Sequence, residues 1–352
     1  MNQIVHRQIK TAILRGLDNK AGQIIRSRGQ ELSRRNIGQI IIFMRKKNKY
    51  PYEVVQYIYC RSAYRYEFDP SASIDVMLRV SCAEGYYEVV RLLLTDGRPN
   101  PCALNNDAIR QACSSGHTKI VRLLLEDGRA DPCANGNTPI QSASSRGYAE
   151  IVRLLLEDGR ADPCAMSNDS IISAAYYGKT EVVRLLLEDG RANSGVIYGH
   201  HSVLMTAVYY GQYEVVQLLL KDSRIDPSCL NNLPILKACS GGNAKIVQLL
   251  LEDSRVDPDP INVEYTAIRR AIDGRHTEAV RILLEDGRVD PAAENNRAIW
   301  AAILHNYLEI VRMLVADNRV VRAGLTDVLA FAKREQHFIS ADLITEAMRG
   351  SV

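Results

Sequence analysis

A six-residue apolar block, Val89-Val90-Arg91-Leu92-Leu93-Leu94, returns along the chain as Ile120–Leu125, Ile151–Leu156, Val182–Leu187, Val215–Leu220, Ile246–Leu251, Ala279–Leu284 and Ile310–Val315. The second residues of successive blocks are 31 or 33 positions apart. Other positions keep the same phase. Nine residues before each of these lies Ala112, Ala143, Ala174, Ala207, Ala238, Ala271 or Ala302, with Ser81 in the first copy. Leu or Ile always stands three residues further back, and Gly stands five before the anchor in six of eight copies, Arg275 and Asn306 taking its place in the last two. Self-similarity at such a period marks a repeat array, in which one unit cannot bury its own apolar face and must stack on its neighbours.

The spacing within one unit predicts two helices. An apolar residue, an Ala three later and then a Gly predict a short helix closed by a left-handed cap, with the Ala kept small where helices approach closely. After the Gly, Ile120, Val121, Leu123, Leu124 and Leu125 give a second, longer helix with a wide apolar face. Asp-Gly-Arg or Asp-Ser-Arg ends it, and Pro101, Pro132, Pro163, Pro227, Pro258 and Pro291 turn the chain away. Helices shorter than about 12–15 residues are marginal alone in water, so stacking must supply the stability of this all-α fold.

The copy Asn135-Gly136-Asn137-Thr138-Pro139-Ile140-Gln141, with Ala143, Gly147 and Ile151-Val152-Arg153-Leu154-Leu155-Leu156, resembles the ankyrin repeat. That family's pattern runs Gly-x-Thr-Pro-Leu-His, an Ala-Ala pair, Gly-His and Val-Val-x-Leu-Leu, and the resemblance extends from about residue 69 to 349. Thr-Pro survives only at Thr138-Pro139, and the His after Gly only as His117. Asn precedes the short helix instead at Asn106, Asn137, Asn168, Asn232 and Asn296, placed to cap a helix or to bridge turns. This variant is similar to ankyrin arrays of amoebae and of the large DNA viruses that infect them. The resemblance implies an ankyrin-repeat solenoid of stacked helix-turn-helix units with short turns or hairpin fingers. It also implies non-catalytic binding of a protein partner on a concave face formed by the short helices and turns.

On this reading residues 71–325 hold eight regular repeats and residues 326–352 a C-terminal capping repeat, with Gln336 at the glycine position. Residues 36–70 read as a degenerate N-terminal capping repeat, with helices near Ile37–Met44 and Glu53–Tyr59, and residues 1–35 as a basic helical segment. Charge sharpens that last division. The formal net charge of +3 is the sum of +10 in the first fifty residues and −7 in the rest. Arg45, Lys46, Lys47 and Lys49 form the core of the basic patch. Two readings of it stay open: a solvated capping end, or a surface for nucleic acid or an anionic membrane. A substrate adaptor for a ubiquitin ligase is a further alternative for the whole chain.

Candidate chemistry thins out against the repeat. Each of Asp96, Asp127, Asp158, Asp189, Asp222, Asp253, Asp286 and Asp317 stands two residues before an Arg. Eight alike copies suggest inter-repeat ion pairs or turn capping, because paired catalytic carboxylates need unlike environments. Cys102, Cys133 and Cys164 share one phase with Ala292, and Cys82, Cys113 and Cys239 another, so both columns read as small residues. Stacked helices stand about 8–10 Å apart, beyond the reach of a disulfide, and no Cys-x-x-Cys or His-Glu-x-x-His spacing occurs. Neither an enzyme activity, a metal nor a cofactor is expected. The longest apolar run, Ile37–Met44, is too short to span a membrane. A monomer inside the cell is expected, cytoplasmic or nuclear, in a host cell if the gene is viral.

Tyrosine placement carries more. The chain has 17 Tyr against 4 Phe and 1 Trp. The family resemblance places partner contacts at the finger tips and at the two residues between the Ala pair and the Gly. Those slots hold Tyr176, Tyr177, Tyr209 and Tyr210 in adjacent repeats, with Tyr198, His200 and His201 in the inserted finger between them. Met166 and Leu104 occupy finger slots and add apolar surface. Tyrosine is a large, rigid interface anchor with a polar tip; the competing expectation is that the rings pack against each other.

Overall fold

The structure, a computed structural model, describes residues 2–28, 40, 43–44, 54–55, 70–191, 202–259, 266–320 and 324–349. Among these residues there are helices and turns and no strand. The chain divides into two compact units, Met1–Ser173 with Leu185–Ala192, and Ala174–Arg184 with Asn193–Val352. The division passes through two helices of one repeat, Ala165–Tyr176 and Thr180–Asp189.

In the first unit α1 (Asn2–Leu14) packs on α2 (Asp18–Arg28), burying Val5, Ile9 and Ile13 with Ala21 and Ile25. The proposed capping repeat at 36–70 lies mostly outside the described residues. Helical pairs follow: α3 (Pro70–Glu84) with α4 (Tyr87–Asp96), α5 (Ala103–Ser115) with α6 (Thr118–Asp127), α7 (Ala134–Arg146) with α8 (Ala149–Asp158), then α9 (Ala165–Tyr176) and α10 (Thr180–Asp189). Short helices stack on short ones, α3 on α5 on α7, and long ones on long ones, α4 on α6 on α8. The in-phase residues are the core: Ile109, Ala112, Cys113, Val121 and Leu124 are all fully buried. Each such Leu or Ile contributes roughly 1.5–3 kcal/mol when buried, which a ten-residue helix could not gain alone.

The second unit repeats the plan with α11 (Val203–Tyr209) and α12 (Tyr213–Leu220), α13 (Cys229–Ser240) and α14 (Ala244–Leu251), α15 (Ala267–Asp273) and α16 (Thr277–Asp286). The pairs α17 (Ala293–Leu304) with α18 (Leu308–Ala316) and α19 (Leu325–Arg334) with α20 (Phe338–Arg349) follow.

Short helices begin in two ways, and the repeat length separates them. After the two longer steps, Ser202 and Thr266 cap α11 and α15 through their hydroxyls, which accept from the N–H of Met205 at 3.1 Å and of Arg269 at 3.4 Å. The 31-residue copies instead enter through a left-handed turn. Leu104, Asn105 and Asn106 have φ of 51, 57 and 58°, and Leu230, Asn231 and Asn232 have 53, 59 and 60°. Residues 135–137 and 166–168 do the same. Left-handed backbone costs roughly 1–2 kcal/mol per non-glycine residue, so something must hold it. The last residue of the turn supplies that hold. Asn106 Oδ1 accepts from Asp131 N at 2.8 Å, Asn137 Oδ1 from Asp162 N at 2.7 Å, and Asn232 Oδ1 from Asp257 N at 2.8 Å. Of the two roles expected, the structure shows the bridge between turns for Asn106, Asn137 and Asn232.

The Asp-x-Arg ladder divides its labour. The ion pair lies inside one turn, Arg129 Nε to Asp127 Oδ1 at 2.8 Å, and does not run between repeats as one expectation had it. The guanidinium itself makes the link to the preceding repeat, donating to the carbonyls of Gly97 at 2.8 Å and Pro99 at 3.0 Å. Arg319 does the same to Leu284, Gly287 and Val289 at 2.8, 2.9 and 3.0 Å. These groups lie at and just past the ends of α4 and α16, where a cation also opposes the helix dipole. The first cysteine column joins this lock: the thiols of Cys102 and Cys133 donate to the carbonyls of Arg129 at 2.9 Å and Arg160 at 2.8 Å.

Gly116 has both reasons to be glycine. Its φ is +81°, and a Cβ there would lie 2.8 Å from the Tyr148 ring of the next repeat. Arg275, Asn306 and Gln336, which replace the glycine further along, keep φ at 59, 56 and 62°.

Candidate protein-binding surface

The slot between the helices of a repeat faces solvent because the chain reverses there through a left-handed residue, Gly178 or Gly211 in these two repeats. Tyr176 ends α9 and Tyr177 follows it; Tyr209 ends α11 and Tyr210 follows it. All four belong to the second unit. They form one run in the order 177, 176, 210, 209. Ring centroids are 4.6 Å apart for Tyr176–Tyr177, 4.1 Å for Tyr176–Tyr210 and 5.0 Å for Tyr209–Tyr210, with interplanar angles of 69, 51 and 74°. Edge-on and tilted contacts suit the aromatic quadrupole. Gln212 fastens the two repeats beside them, its Nε2 donating to Tyr176 O at 2.8 Å.

The rings pack on each other and still remain exposed, at 40, 55, 63 and 47% for Tyr176, Tyr177, Tyr209 and Tyr210. Mutual packing, one of the two expectations for them, is thus observed without burial of the rings. The Tyr210 hydroxyl titrates above the ordinary tyrosine range, through partial loss of solvent and then through Tyr176, which lies beside it and hydrogen-bonds with it.

Leu104 and Met166 lie in the first unit and are exposed at 67 and 72%, each opening a left-handed turn. Tyr198, His200, His201 and the basic residues Arg45, Lys46, Lys47 and Lys49 lie outside the described residues. Sequence reasoning passed over the exposed pair Phe338 and Ile339. A signal was present: Ile339 stands where every earlier repeat carries Glu or Lys, such as Glu278 and Glu309. Among the described residues no cluster of three His, Cys, Asp or Glu side chains could hold a metal. None of the described helices is long and apolar enough to cross a membrane.

The family described as "Ankyrin repeats (3 copies)" matches residues 77–167, 163–231 and 235–323, and the chain belongs to it. Ankyrin repeats generally mediate protein–protein interaction. No curated protein matches the chain. Among solved structures it is similar to the human ASB11 ankyrin repeat domain, at 21% identity and a TM-score of 0.48, over 59% of this chain and 96% of that one.

Proposed function

We propose that this chain is a non-catalytic, monomeric scaffold that binds a protein partner through the tyrosine surface of α9 and α11. The observation that carries the reading is the run of four exposed rings on two successive repeats. Mutual packing holds the rings in place before a partner arrives, which lowers the ordering cost of binding. Their area and hydroxyls give the mixed apolar and polar contact typical of interface anchors. The test is affinity capture on the immobilised full chain, compared with Tyr177→Ala/Tyr209→Ala, the outer two rings. Loss of two anchors should reduce specifically bound protein at least about tenfold and leave the thermal midpoint nearly unchanged. Undiminished capture by the double variant overturns the reading.

A second reading rests on the +10 charge of residues 1–50: binding of nucleic acid or an anionic membrane by the N-terminal segment. Such binding falls steeply with salt and disappears when residues 1–50 are deleted.

A further inference from the structure

The repeats that follow the tyrosines carry a charge pattern of their own. The segments Cys229–Asn243 and Ala267–His276, which are α13 and α15 with their slots, contain Lys237, Arg269, Arg270 and Arg275 against a single carboxylate, Asp273. The long helices of the same stretch, α12, α14 and α16, carry four carboxylates against two bases. Positive charge thus exceeds negative along α13 and α15, within an array whose residues after the first fifty sum to −7.

The positions of these cations match that of the tyrosine run. Lys237 and Arg270 occupy the repeat position held by Thr206 in α11, one helical turn before the slot that Tyr209 and Tyr210 fill. Residues three and four apart share a helix face, so this position and the slot line the same side of successive short helices. Asp273 is engaged by Arg269 at 2.8 Å, and Lys237 forms no ion pair among the described residues. Arg275 is exposed and lies 5.5 Å over the Tyr307 ring. The slot beside Lys237 is Ser240-Gly241, without a bulky side chain.

We infer that the partner segment is an acidic peptide, with apolar side chains seated on the tyrosine run and carboxylates along α13 and α15. This rests on the proposed tyrosine surface and adds the chemistry of what it binds. The positive charge extends over two repeats beyond the rings. A peptide is favoured over a single-stranded nucleic acid because the tyrosine rings are turned edge-on and tilted to one another. Single-stranded nucleic acid binds by stacking its bases on free aromatic faces, and Tyr176 and Tyr210 pack on each other with centroids 4.1 Å apart.

The test is selection of a phage-displayed random dodecapeptide library on the full chain, with recovered peptides measured by fluorescence anisotropy. Two variants accompany it, Tyr177→Ala/Tyr209→Ala and Lys237→Thr/Arg275→Gly. In the second, each new residue is the one that the chain itself carries at that position in other repeats, Thr206 and Gly211, so folding is preserved. Recovered peptides should be net acidic with apolar residues. Their affinity should drop about tenfold in Lys237→Thr/Arg275→Gly and at least as far in the tyrosine variant. Neutral or basic peptides that depend on the tyrosines overturn the acidic class and leave the surface standing. Peptides indifferent to the tyrosines overturn the surface itself. Failure to enrich any peptide, or tighter binding of an oligouridylate 12-mer than of the best peptide, overturns the inference.

Discussion

The side-chain oxygen of Asn106 accepts a hydrogen bond from the backbone N–H of Asp131, 25 residues ahead, at 2.8 Å. Asn106 is itself held at φ 58°. One residue therefore joins a left-handed turn to the next repeat, and its two duties can be separated. Asn106→Gly keeps the backbone freedom and removes the bridge, for a cost of about 1 kcal/mol. Asn106→Ala loses both and should cost about 1 kcal/mol more. Urea unfolding midpoints of the two variants and the parent measure the difference; equal costs would show that the left-handed turn is not retained.

The glycine phase allows opposite outcomes from one backbone conformation. Gln336 sits at φ 62°, and Gln336→Gly should stabilise the chain by about 1 kcal/mol by relieving a left-handed residue. Gly116→Ala should destabilise by more than about 1 kcal/mol, because its Cβ meets the Tyr148 ring as well as a φ of +81°. Thermal unfolding distinguishes the signs.

The Asp-x-Arg turns should make the fold acid-sensitive. Hydrogen bonds from the neighbouring arginine hold Asp158, Asp222, Asp253, Asp286 and Asp317 below the usual carboxylate range. A folded pKa below the unfolded one means the native state binds fewer protons, so this stability is present above the unfolded value and is lost as pH falls through the folded one. Asp259, raised by burial, acts in the opposite direction. Stability from the five turns should be level from about pH 7 to 5 and fall below about pH 4. Arg160→Gln should flatten that fall and, by releasing the carbonyl of Ala130, bonded at 3.1 Å, lower stability at neutral pH by about 1–2 kcal/mol. Urea titrations at several pH values test both.

Cysteine reactivity should follow burial. Burial pushes the thiols of Cys82 and Cys113 far above their ordinary range, Cys239 up to about 12 and Cys229 up to about 11. The thiolate is the reactive form, so these four should resist iodoacetamide at pH 8 until the chain unfolds. Cys102, which is exposed, should be alkylated first. Peptide mass spectrometry over a time course reads the order; early alkylation of Cys113 would contradict the stacked core.

Ser144 makes the limits of pattern reading concrete. It falls in the column of Cys113 and Ala175, is fully buried, and its hydroxyl has no partner among the described residues. Ser144→Ala should therefore be neutral or stabilising by up to about 1 kcal/mol in urea unfolding. The column was legible from spacing alone; the absence of a partner was visible only once the helices were packed.

Local, repeated features were determined by the amino-acid sequence itself. The 31-residue period, the Ala of the short helix, the glycine cap and the apolar face of the long helix each depend on residues a few positions apart. Eight recurrences remove the ambiguity a single copy would carry. The slots that hold Tyr176, Tyr177, Tyr209 and Tyr210 followed from the same phase.

Other features depend on residues roughly one repeat apart, and only the tertiary structure decided them. An asparagine before a helix has the same chemistry whether it caps that helix or bridges to the next turn. The bridge exists because stacking brings the Asp131 N–H to Asn106. An Asp-x-Arg pair reads alike within or between turns, and the position of the Gly97 and Pro99 carbonyls gave the arginine its second role. Whether four tyrosines bury or present their rings was decided by how far apart consecutive repeats hold Tyr176 and Tyr210: near enough for the tilted rings to pack, with all four still exposed.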